Sequence, residues 1–169
     1  YTPLVSGITA PTQLNGKTAS QVSLSVQYFD GLGRPLQNVQ VFGSKDKKDI
    51  VQPFVYDSYG RETKKYLPYE DISTSYGSYR SNAVSSQAAF YNNPPTGVVQ
   101  IPAVSGITPS YSESVFEPSP LNRVAEQGAP GKDWQPYNAS LPNSGHTVKT
   151  EYKTNTPTED LAARLYKAD

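Results

Sequence analysis

A short motif with the residue types of an active site occurs twice in the chain. An acid, a glycine and an arginine recur 27 positions apart, as Asp30-Gly31-Leu32-Gly33-Arg34 and Asp57-Ser58-Tyr59-Gly60-Arg61. Paired carboxylates can perform general acid–base catalysis or bind a metal ion, and paired arginines can bind an anion. The alternative is structural, because Asp at the first position of a turn accepts a backbone hydrogen bond and Gly at the fourth adopts a left-handed conformation.

The fixed offset of the glycine favours the structural alternative. It accounts for each acid without any chemistry, since a type I turn that closes into a bulged hairpin needs both residues. Each arginine is then expected to pair with the acid of its own or a neighbouring turn. Each is also expected to stack on Tyr59 or on another ring. We therefore interpret the motif as a structural turn rather than a site.

The remaining reactive residues give no support for catalysis. His146 is the single histidine and cysteine is absent, which excludes His-rich and thiolate zinc sites as well as disulfides. A Ser-His-Asp triad would need His146, yet the chain has no Gly-x-Ser-x-Gly elbow. Gly31-x-Gly33 is too short for a phosphate loop. The sequence predicts no catalytic residue, no metal and no cofactor.

Tyrosine offers a different kind of candidate site. The chain has 13 tyrosines, several of them in its middle part. Exposed together, Tyr69, Tyr76 and Tyr79 would form a face for sugar rings or a protein partner. Burial is favoured for most of the tyrosines, because aliphatic residues alone are too few to fill a core.

Composition limits the class of protein and its partners. The formal net charge is zero, so neither nucleic acid nor an anionic membrane is an expected partner. Fifteen prolines and twelve glycines exclude long helices, and no apolar run is long enough to span a bilayer. The chain begins with Tyr1 and lacks methionine, which suggests a trimmed fragment; a missing signal peptide is then uninformative.

Hydrophobic alternation predicts strands on both sides of each motif. Residues 22–28 alternate apolar and polar, typical of a strand buried on one face. After Arg34 the apolar residues slip in phase between Leu36 and Val39, which suggests a bulge or a kink. The run from 50 to 56 contains Pro53, so we expect an edge strand or a bulge there.

The second motif should turn the chain into a further strand. We expect that strand over residues 61–67, with Lys64 and Lys65 on an exposed side, and we expect the unit to end at Pro68-Tyr69. Two hairpins of one design would thus occupy residues 20–68.

The middle of the chain, residues 70–111, lacks this alternation. A short helix is predicted over 82–91, with Asn82 or Ser81 as its N-cap and the run 92–95 as its stop. Residues 98–104 suggest a strand. A degenerate third copy of the motif follows within 115–124, where Glu117 replaces the acid, Asn122 the glycine, and Arg123 the arginine.

The C-terminal part is less regular. Trp134 is expected in the core, and residues 146–152 suggest another strand. A capping box at 156–159 favours a helix over 157–167, whereas Leu165-Tyr166 would suit the start of a strand.

These patterns predict a mainly β protein. Successive antiparallel hairpins would form a curved open sheet, with a loop-rich middle and one short helix. Residues 1–19 would be an extended lead-in with at most one short strand, followed by a turn at Asn15-Gly16. Residues 20–169 would form a single domain, composed of the hairpins, an irregular insert at 70–111 and further strands over 112–155.

Several stretches together resemble one protein family. The paired motifs look like the YD repeat of Rhs proteins. Further resemblance, from about Val22 to the C-terminus, is carried by Asp49-Ile50-Val51-Gln52-Pro53, Lys65-Tyr66-Leu67-Pro68-Tyr69, Phe116-Glu117-Pro118-Ser119-Pro120-Leu121-Asn122-Arg123-Val124 and Glu126-Gln127-Gly128-Ala129-Pro130-Gly131. These stretches resemble the domain that precedes the repeat array in large Rhs-type surface or secreted proteins of Bacteroidota.

The resemblance implies a non-catalytic module. Related proteins wind YD repeats into a hollow β-shell around a C-terminal toxin, and this chain is similar to an entry or cap segment of such a shell. The implied partner is a downstream YD-repeat region of the same protein. The implied location is extracellular or at a bacterial cell surface. A carbohydrate-binding module that uses surface tyrosines is the alternative expectation.

Overall fold

The protein is mainly β, with its strands in one open, uncurled sheet and a single short α-helix among the described residues. The computed structural model describes residues 1–14, 17–18, 20–103 and 108–154. The nine strands are all antiparallel: β1 (Thr2–Pro3), β2 (Val22–Phe29), β3 (Pro35–Val41), β4 (Asp49–Val55), β5 (Lys64–Tyr66), β6 (Tyr69–Asp71), β7 (Tyr111–Phe116), β8 (Val124–Gln127) and β9 (Val148–Lys149). The predicted class of successive antiparallel hairpins with one helix is confirmed.

The strands follow one another across the sheet almost in chain order. The order is β1-β2-β3-β4-β5-β7-β8-β9, and β6 lies beside β4 in line with β5. Three hairpins are therefore built on the three motif copies: β2/β3, β4/β5 and β7/β8. This order brings the three motif turns to the same end of the strands, and successive turns are two strands apart.

The strand predictions for the first hairpin are confirmed in position but not in burial. Leu24 is 41% exposed in β2, whereas Val39 in β3 is fully buried. The irregularity predicted between Leu36 and Val39 is present at the start of that stretch, because the register with β2 shifts at Leu36: Tyr28 pairs with Gln37, but Phe29 pairs with Pro35. The inward position belongs to Gln37, which is 2% exposed. A buried glutamine and the bulge beside it at Leu36 together account for the slip in the apolar pattern.

β4 lies in the interior of the sheet, so its prediction as an edge strand is wrong. It pairs with β3 on one side and with β5 and β6 on the other. The irregularity that Pro53 also suggested is present, because the register shifts by one residue between the β6 and β5 pairings. A proline is tolerated at such a break, where the ladder is interrupted. The hairpin unit also continues past Pro68-Tyr69, since Tyr69 begins β6.

The predicted helix is confirmed as α1 (Ala83–Asn92), with Asn82 as its N-cap residue. It packs against β4 and β6, and buries Ala83 and Gln87. The strand expected at 98–104 is wrong for residues 98–103, which form no strand; Val104 lies outside the described residues. The strand expected over 146–152 shortens to β9.

The core is small for the length of the chain. Its buried members are Val39, Val51, Tyr69 and Ala83, and Val26, Tyr28, Phe90 and Tyr91 pack around them. Trp134 is 50% exposed, so its prediction as a core residue is wrong. The lead-in carries β1 and a short 3-10 helix (Pro11–Leu14). The expected turn at Asn15-Gly16 and the C-terminal element at 157–167 lie outside the described residues.

Candidate functional site

The acid of each of the first two motifs binds the arginine and the backbone of its own turn. In turn 1 (residues 30–34), Asp30 Oδ1 accepts hydrogen bonds from the backbone N–H groups of Leu32 (2.8 Å) and Arg34 (2.9 Å). Its Oδ2 accepts one from Arg34 Nε at 2.7 Å. Gly33 has a φ of 78°, the left-handed conformation that the sequence predicted.

Turn 2 (residues 57–61) repeats this geometry. Asp57 Oδ1 accepts from the backbone N–H groups of Tyr59 and Arg61, both at 2.9 Å, and Oδ2 accepts from Arg61 Nε at 2.8 Å. Gly60 has a φ of 77°. In both turns the backbone N–H of the arginine is the largest cause that holds the pKa of the aspartate below its ordinary value. Such carboxylates stay ionised, which suits a structural anchor better than a proton-transfer group.

Turn 3 (residues 117–123) is longer and divides the task of the aspartate between two residues. Glu117 holds the arginine: Arg123 Nε and Nη2 donate to its two oxygens, both at 2.8 Å. Ser119 caps the turn, since its Oγ accepts the backbone N–H of Leu121 at 3.2 Å. Asn122 takes the glycine position with a φ of 52°. The bidentate bond from Arg123 and the bond from Ser119 lower the pKa of Glu117 to about 2.

The three turns stack on one another through their arginines. Two guanidinium groups lie over the ring that precedes the acid of the next turn: Arg34 over Tyr56 and Arg61 over Phe116, each 4.6 Å from the ring centroid. The third, that of Arg123, lies 4.2 Å from the ring centroid of Tyr152, which no acid follows. We call this series the arginine ladder. Arg61 also lies over Tyr59 of its own turn, at 5.0 Å. These distances are within the range of cation–π contacts.

Strand register explains why the ladder is regular. β3 and β4 pair with Gln37 opposite Pro53, so three steps towards the turns Arg34 faces Tyr56. Lys64 pairs with Glu113, and three residues towards the turns Arg61 faces Phe116. Glu126 pairs with Lys149, and three residues towards the turns Arg123 faces Tyr152. Each arginine and its ring are therefore cross-strand neighbours, the pairs whose side chains interact in a sheet.

Further hydrogen bonds connect neighbouring turns. Tyr56 Oη donates to the carbonyl oxygen of Pro35 at 2.9 Å, and Tyr152 Oη donates to that of Val124 at 3.3 Å. In both cases the acceptor directly follows the stacked arginine. Arg61 Nη1 also donates to Asn122 Oδ1 at 2.9 Å. Tyr152 is thus the third ring of the arginine ladder, after Tyr56 and Phe116.

A cleft of about 690 Å³ lies between turns 2 and 3, where the longer third turn separates them. It is lined by aromatic and proline side chains together with the polar groups of the two turns: Tyr59, Arg61, Phe116, Glu117, Pro118, Ser119, Pro120 and Asn122. Arg61 and Glu117 are both bound to partners within the turns. The cleft therefore offers aromatic and proline surface but little free charge.

The tyrosines considered as a ligand face are in two different environments. Tyr69 is 3% exposed and belongs to the core, where burial raises its pKa to about 12. Tyr76 and Tyr79 lie on the loop between β6 and α1 and are 42% and 47% exposed. Tyr76 packs on Phe42 with ring centroids 4.5 Å apart, and Tyr79 on Tyr28 at 5.3 Å. The structure brings Tyr76 and Tyr79 onto one loop and leaves Tyr69 in the core, beside Phe90.

A buried ionic cluster that the sequence did not predict holds this loop to the sheet. Arg80, 7% exposed, lies between Asp49 and Asp71: Nη2 is 3.0 Å from Asp49 Oδ2 and Nε is 2.6 Å from Asp71 Oδ2. Asp49 also accepts the backbone N–H of Gly77 at 2.6 Å. Burial opposes the charge of Asp71, yet Arg80 outweighs it and the pKa of Asp71 lies below its ordinary value.

The sequence contained one signal for this cluster. Arg80 is the single charged residue between Ile72 and Ser112. A lone charge in a long neutral segment indicates a residue with a specific partner, because an isolated cation has no solubilising role that the polar neighbours do not already fill. The backbone of Arg80 is held as well: its N–H donates to Gln37 Oε1 at 2.9 Å, and Gln37 Nε2 donates to its carbonyl oxygen.

The only histidine gives no sign of a catalytic arrangement in the described structure. His146 is exposed, and its ring meets the edge of Trp134 with centroids 5.8 Å apart. No serine or carboxylate of the described residues donates to or accepts from its ring. Within the same part of the chain, no group of His, Cys, Asp or Glu is arranged to hold a metal ion. Nor does that part contain a helix with the length and apolarity to cross a membrane.

Comparison with known proteins places the chain in a family. No curated protein and no solved structure matches it. The model of one family, described as a domain of unknown function (DUF6443), matches residues 2–154. This match extends from β1 past β9 and includes all three turns and Tyr152. The chain therefore belongs to the DUF6443 family.

Proposed function

We propose that the domain is a non-catalytic structural and interaction module. It would form the N-terminal cap or entry segment of a larger exported Rhs/YD-repeat protein at a bacterial cell surface or in secreted form, in some cases a toxin carrier. The single observation that supports this best is the arginine ladder. It uses the acids and arginines of the motif to stack turn upon turn, which leaves none of them free to act on a substrate.

The ladder also suggests how the module would join its partner. Its last ring, Tyr152, follows β9. That strand pairs with β8 on one side, and no strand lies on its opposite side in the described part of the chain. An unpaired strand edge is a template for a further strand. The proposed partner is the downstream YD-repeat region of the same protein, which would add its first hairpin at this edge.

Coupled unfolding tests this proposal. A longer polypeptide, in which the native sequence that follows Asp169 is included, should unfold in one transition in calorimetry. Its midpoint should lie several degrees above that of the isolated domain, because the shared edge stabilises both parts. Arg123→Gln should separate the transitions, since it removes the contact with Tyr152.

Arg34→Gln is the matched control. It removes an equivalent contact with Tyr56 at the other end of the ladder, and should lower stability without separating the two transitions. Independent unfolding of the domain and its continuation in the unaltered polypeptide would rule out the cap function.

A carbohydrate-binding module is the second candidate function. It is favoured by Tyr76 and Tyr79, which lie half exposed on one loop that the Arg80 cluster fixes to the sheet. Rings held on a fixed loop are suited to stacking against sugars. A glycan array should then show a ligand whose binding is lost in Tyr76→Ala or Tyr79→Ala. Tyr137→Ala, which removes a 73% exposed ring elsewhere, is the control and should bind as before.

A further inference from the structure

Phe29 has the position of a ladder ring but no arginine above it. It directly precedes the acid of turn 1, as Tyr56 and Phe116 precede those of turns 2 and 3. Tyr56, Phe116 and Tyr152 each carry a guanidinium 4.2–4.6 Å from the ring centroid. Phe29 is 54% exposed, and no cation of the described residues lies over it. The ring of Phe29 is therefore uncovered on the face where Tyr56, Phe116 and Tyr152 each contact an arginine.

The two glycine turns show the same contrast. A methyl group added to Gly60 would lie 2.9 Å from Arg34 Nη1, because the guanidinium of the preceding turn rests against turn 2. A methyl group added to Gly33 would meet nothing within 4 Å. The space that an arginine occupies beside turn 2 is open beside turn 1.

The strand that carries Phe29 is also open on the required side. β2 pairs with β1 only at Val22 and Ser23, so residues 24–29 have β3 on one side and no described strand on the other. In the ladder, each arginine begins a strand antiparallel to the strand that ends at the ring. An antiparallel strand added along residues 24–29 would place its first residues opposite Phe29.

The described chain does not itself supply this arginine. Residues 1–21 contain one basic residue, Lys17, and no arginine. β1 pairs at the end of β2 far from turn 1. Arg34, Arg61 and Arg123 each bind the acid of their own turn, and each already stacks on a ring of the ladder. Arg80 is buried between Asp49 and Asp71. No arginine of the described residues is therefore available to Phe29, and Arg164 lies outside those residues.

We infer that Phe29 and the open edge of β2 form a receptor site for an arginine at the start of a β-strand in a partner polypeptide. The partner strand would run antiparallel to residues 24–29. It would carry an acid four to six residues before the arginine, since each ladder arginine is held by such an acid. The inference extends the proposed interaction role to the opposite end of the ladder.

The chemistry of the site favours arginine over lysine. A planar guanidinium can lie flat on a ring while its remaining N–H groups stay bonded to a carboxylate, which a lysine ammonium cannot do in the same geometry. The aromatic face attracts the cation, and the open backbone N–H and C=O groups of β2 bind the strand. Both components are present at turn 1.

A peptide titration followed by NMR tests the site on the intact chain. The probe is a synthetic peptide with the sequence of residues 30–41, the segment whose arginine stacks on Tyr56. We expect saturable shifts at the amides of residues 24–29 and at the Phe29 ring. A peptide with glutamine in place of its arginine should bind about two- to fivefold more weakly, the typical strength of an exposed cation–π contact.

Variants of the chain distinguish the contribution of the Phe29 ring to peptide binding from that of the strand edge. Phe29→Tyr should keep the preference for the arginine peptide, since the rings that contact Arg34 and Arg123 are tyrosines. Phe29→Leu should bind both peptides equally. Leu32→Ala, which alters an 80% exposed side chain of the same turn, is the control and should behave as the unaltered chain.

Three outcomes would overturn the inference: no shifts along residues 24–29, shifts elsewhere only, or equal binding of the two peptides by the unaltered chain. The result is independent of the test of the cap function, which reads coupling at Tyr152. Binding at Phe29 with independent unfolding at Tyr152 would reject the cap function and retain this site.

Discussion

At the scale of the residue, one carboxylate does two tasks in turns 1 and 2. Asp30 and Asp57 cap a turn and also hold an arginine, and the sequence predicted the first task because the glycine stands at a fixed offset. It predicted the arginine pairing as well, and stacking on Tyr59 or another ring. It could not predict Phe116 as the second ring of Arg61, because that contact depends on strand register between residues far apart in the chain.

Substitution of the turn glycines tests the left-handed conformation and the stacking separately. Gly33→Ala should cost about 1–2 kcal/mol of unfolding free energy, the penalty of a left-handed non-glycine residue. Gly33→Asn should cost less, since asparagine tolerates this conformation and occupies it at position 122. Gly60→Ala should cost more than Gly33→Ala, because its methyl group would displace Arg34.

Urea unfolding of the three variants gives these values. An equal loss for Gly33→Ala and Gly60→Ala would show that Arg34 does not press against turn 2.

Acid should weaken turn 3 through Glu117. Its pKa is about 2 in the folded protein against an ordinary value of 4.5, so the unfolded chain takes up the proton first as the pH falls. The stabilisation is complete above about pH 4.5 and is lost as the pH falls towards 2. Glu117→Gln should therefore lower the melting temperature at pH 7 and make little difference near pH 2.

Thermal unfolding at a series of pH values checks this. Lys153→Gln, which alters an exposed charge outside the turn, is the control. A difference between Glu117→Gln and the unaltered chain that persists unchanged from pH 7 to pH 2 would contradict the assignment.

At the scale of the element, the sequence predicted the strands and the helix better than their environments. Apolar alternation placed β2, but the most buried strands are β3 and β4, where Gln37 and Pro53 disturb the pattern. Gln37 is buried because the backbone of Arg80 satisfies its amide, and no local pattern contains that information. Pro53 is tolerated inside the sheet because β5 and β6 meet beside it.

The loop between β6 and α1 should depend on Arg80. Arg80→Met would leave Asp49 and Asp71 buried without a cation, which typically costs about 3–5 kcal/mol. Arg80→Lys should cost less, since it keeps the charge while it loses the separate bonds to the two acids. Limited proteolysis should show faster cleavage within residues 72–79 of Arg80→Met, together with a lower midpoint in urea.

Arg123→Met is the matched control for a lost arginine. Its side chain is 40% exposed, so its removal should leave the 72–79 loop as resistant as in the unaltered chain. Equal cleavage of the loop in Arg80→Met and Arg123→Met would contradict the role of the cluster.

At the scale of the whole molecule, a small core is combined with two open sheet edges. The class, the hairpin order and the third motif followed from the sequence, because turn chemistry and alternation are local. The positions of Trp134 and of residues 98–103 did not, since a loop-rich segment has no periodicity from which burial can be read. The sheet closes on neither side among the described residues.

The open edge of β2 should make the isolated domain associate at high concentration. Unpaired N–H and C=O groups along residues 24–29 can pair with a second copy. Gln27→Lys places a charge on this edge and should reduce association, whereas Lys153→Gln should not. Light scattering over a concentration series measures the effect; a molecular mass that stays monomeric at the highest concentration would refute it.

In turn 3 one residue caps the turn and another binds the arginine, and this separation affects how the turn tolerates an insertion. Where one aspartate both caps the turn and holds the arginine, loop length is fixed by a single side chain. Where Ser119 does the capping and Glu117 the holding, the tip is uncoupled from the anchor. Guest peptides grafted between Ser119 and Leu121 should therefore be displayed on the surface while Arg123 stays in place over Tyr152, which makes this hairpin the natural point for engineering the scaffold.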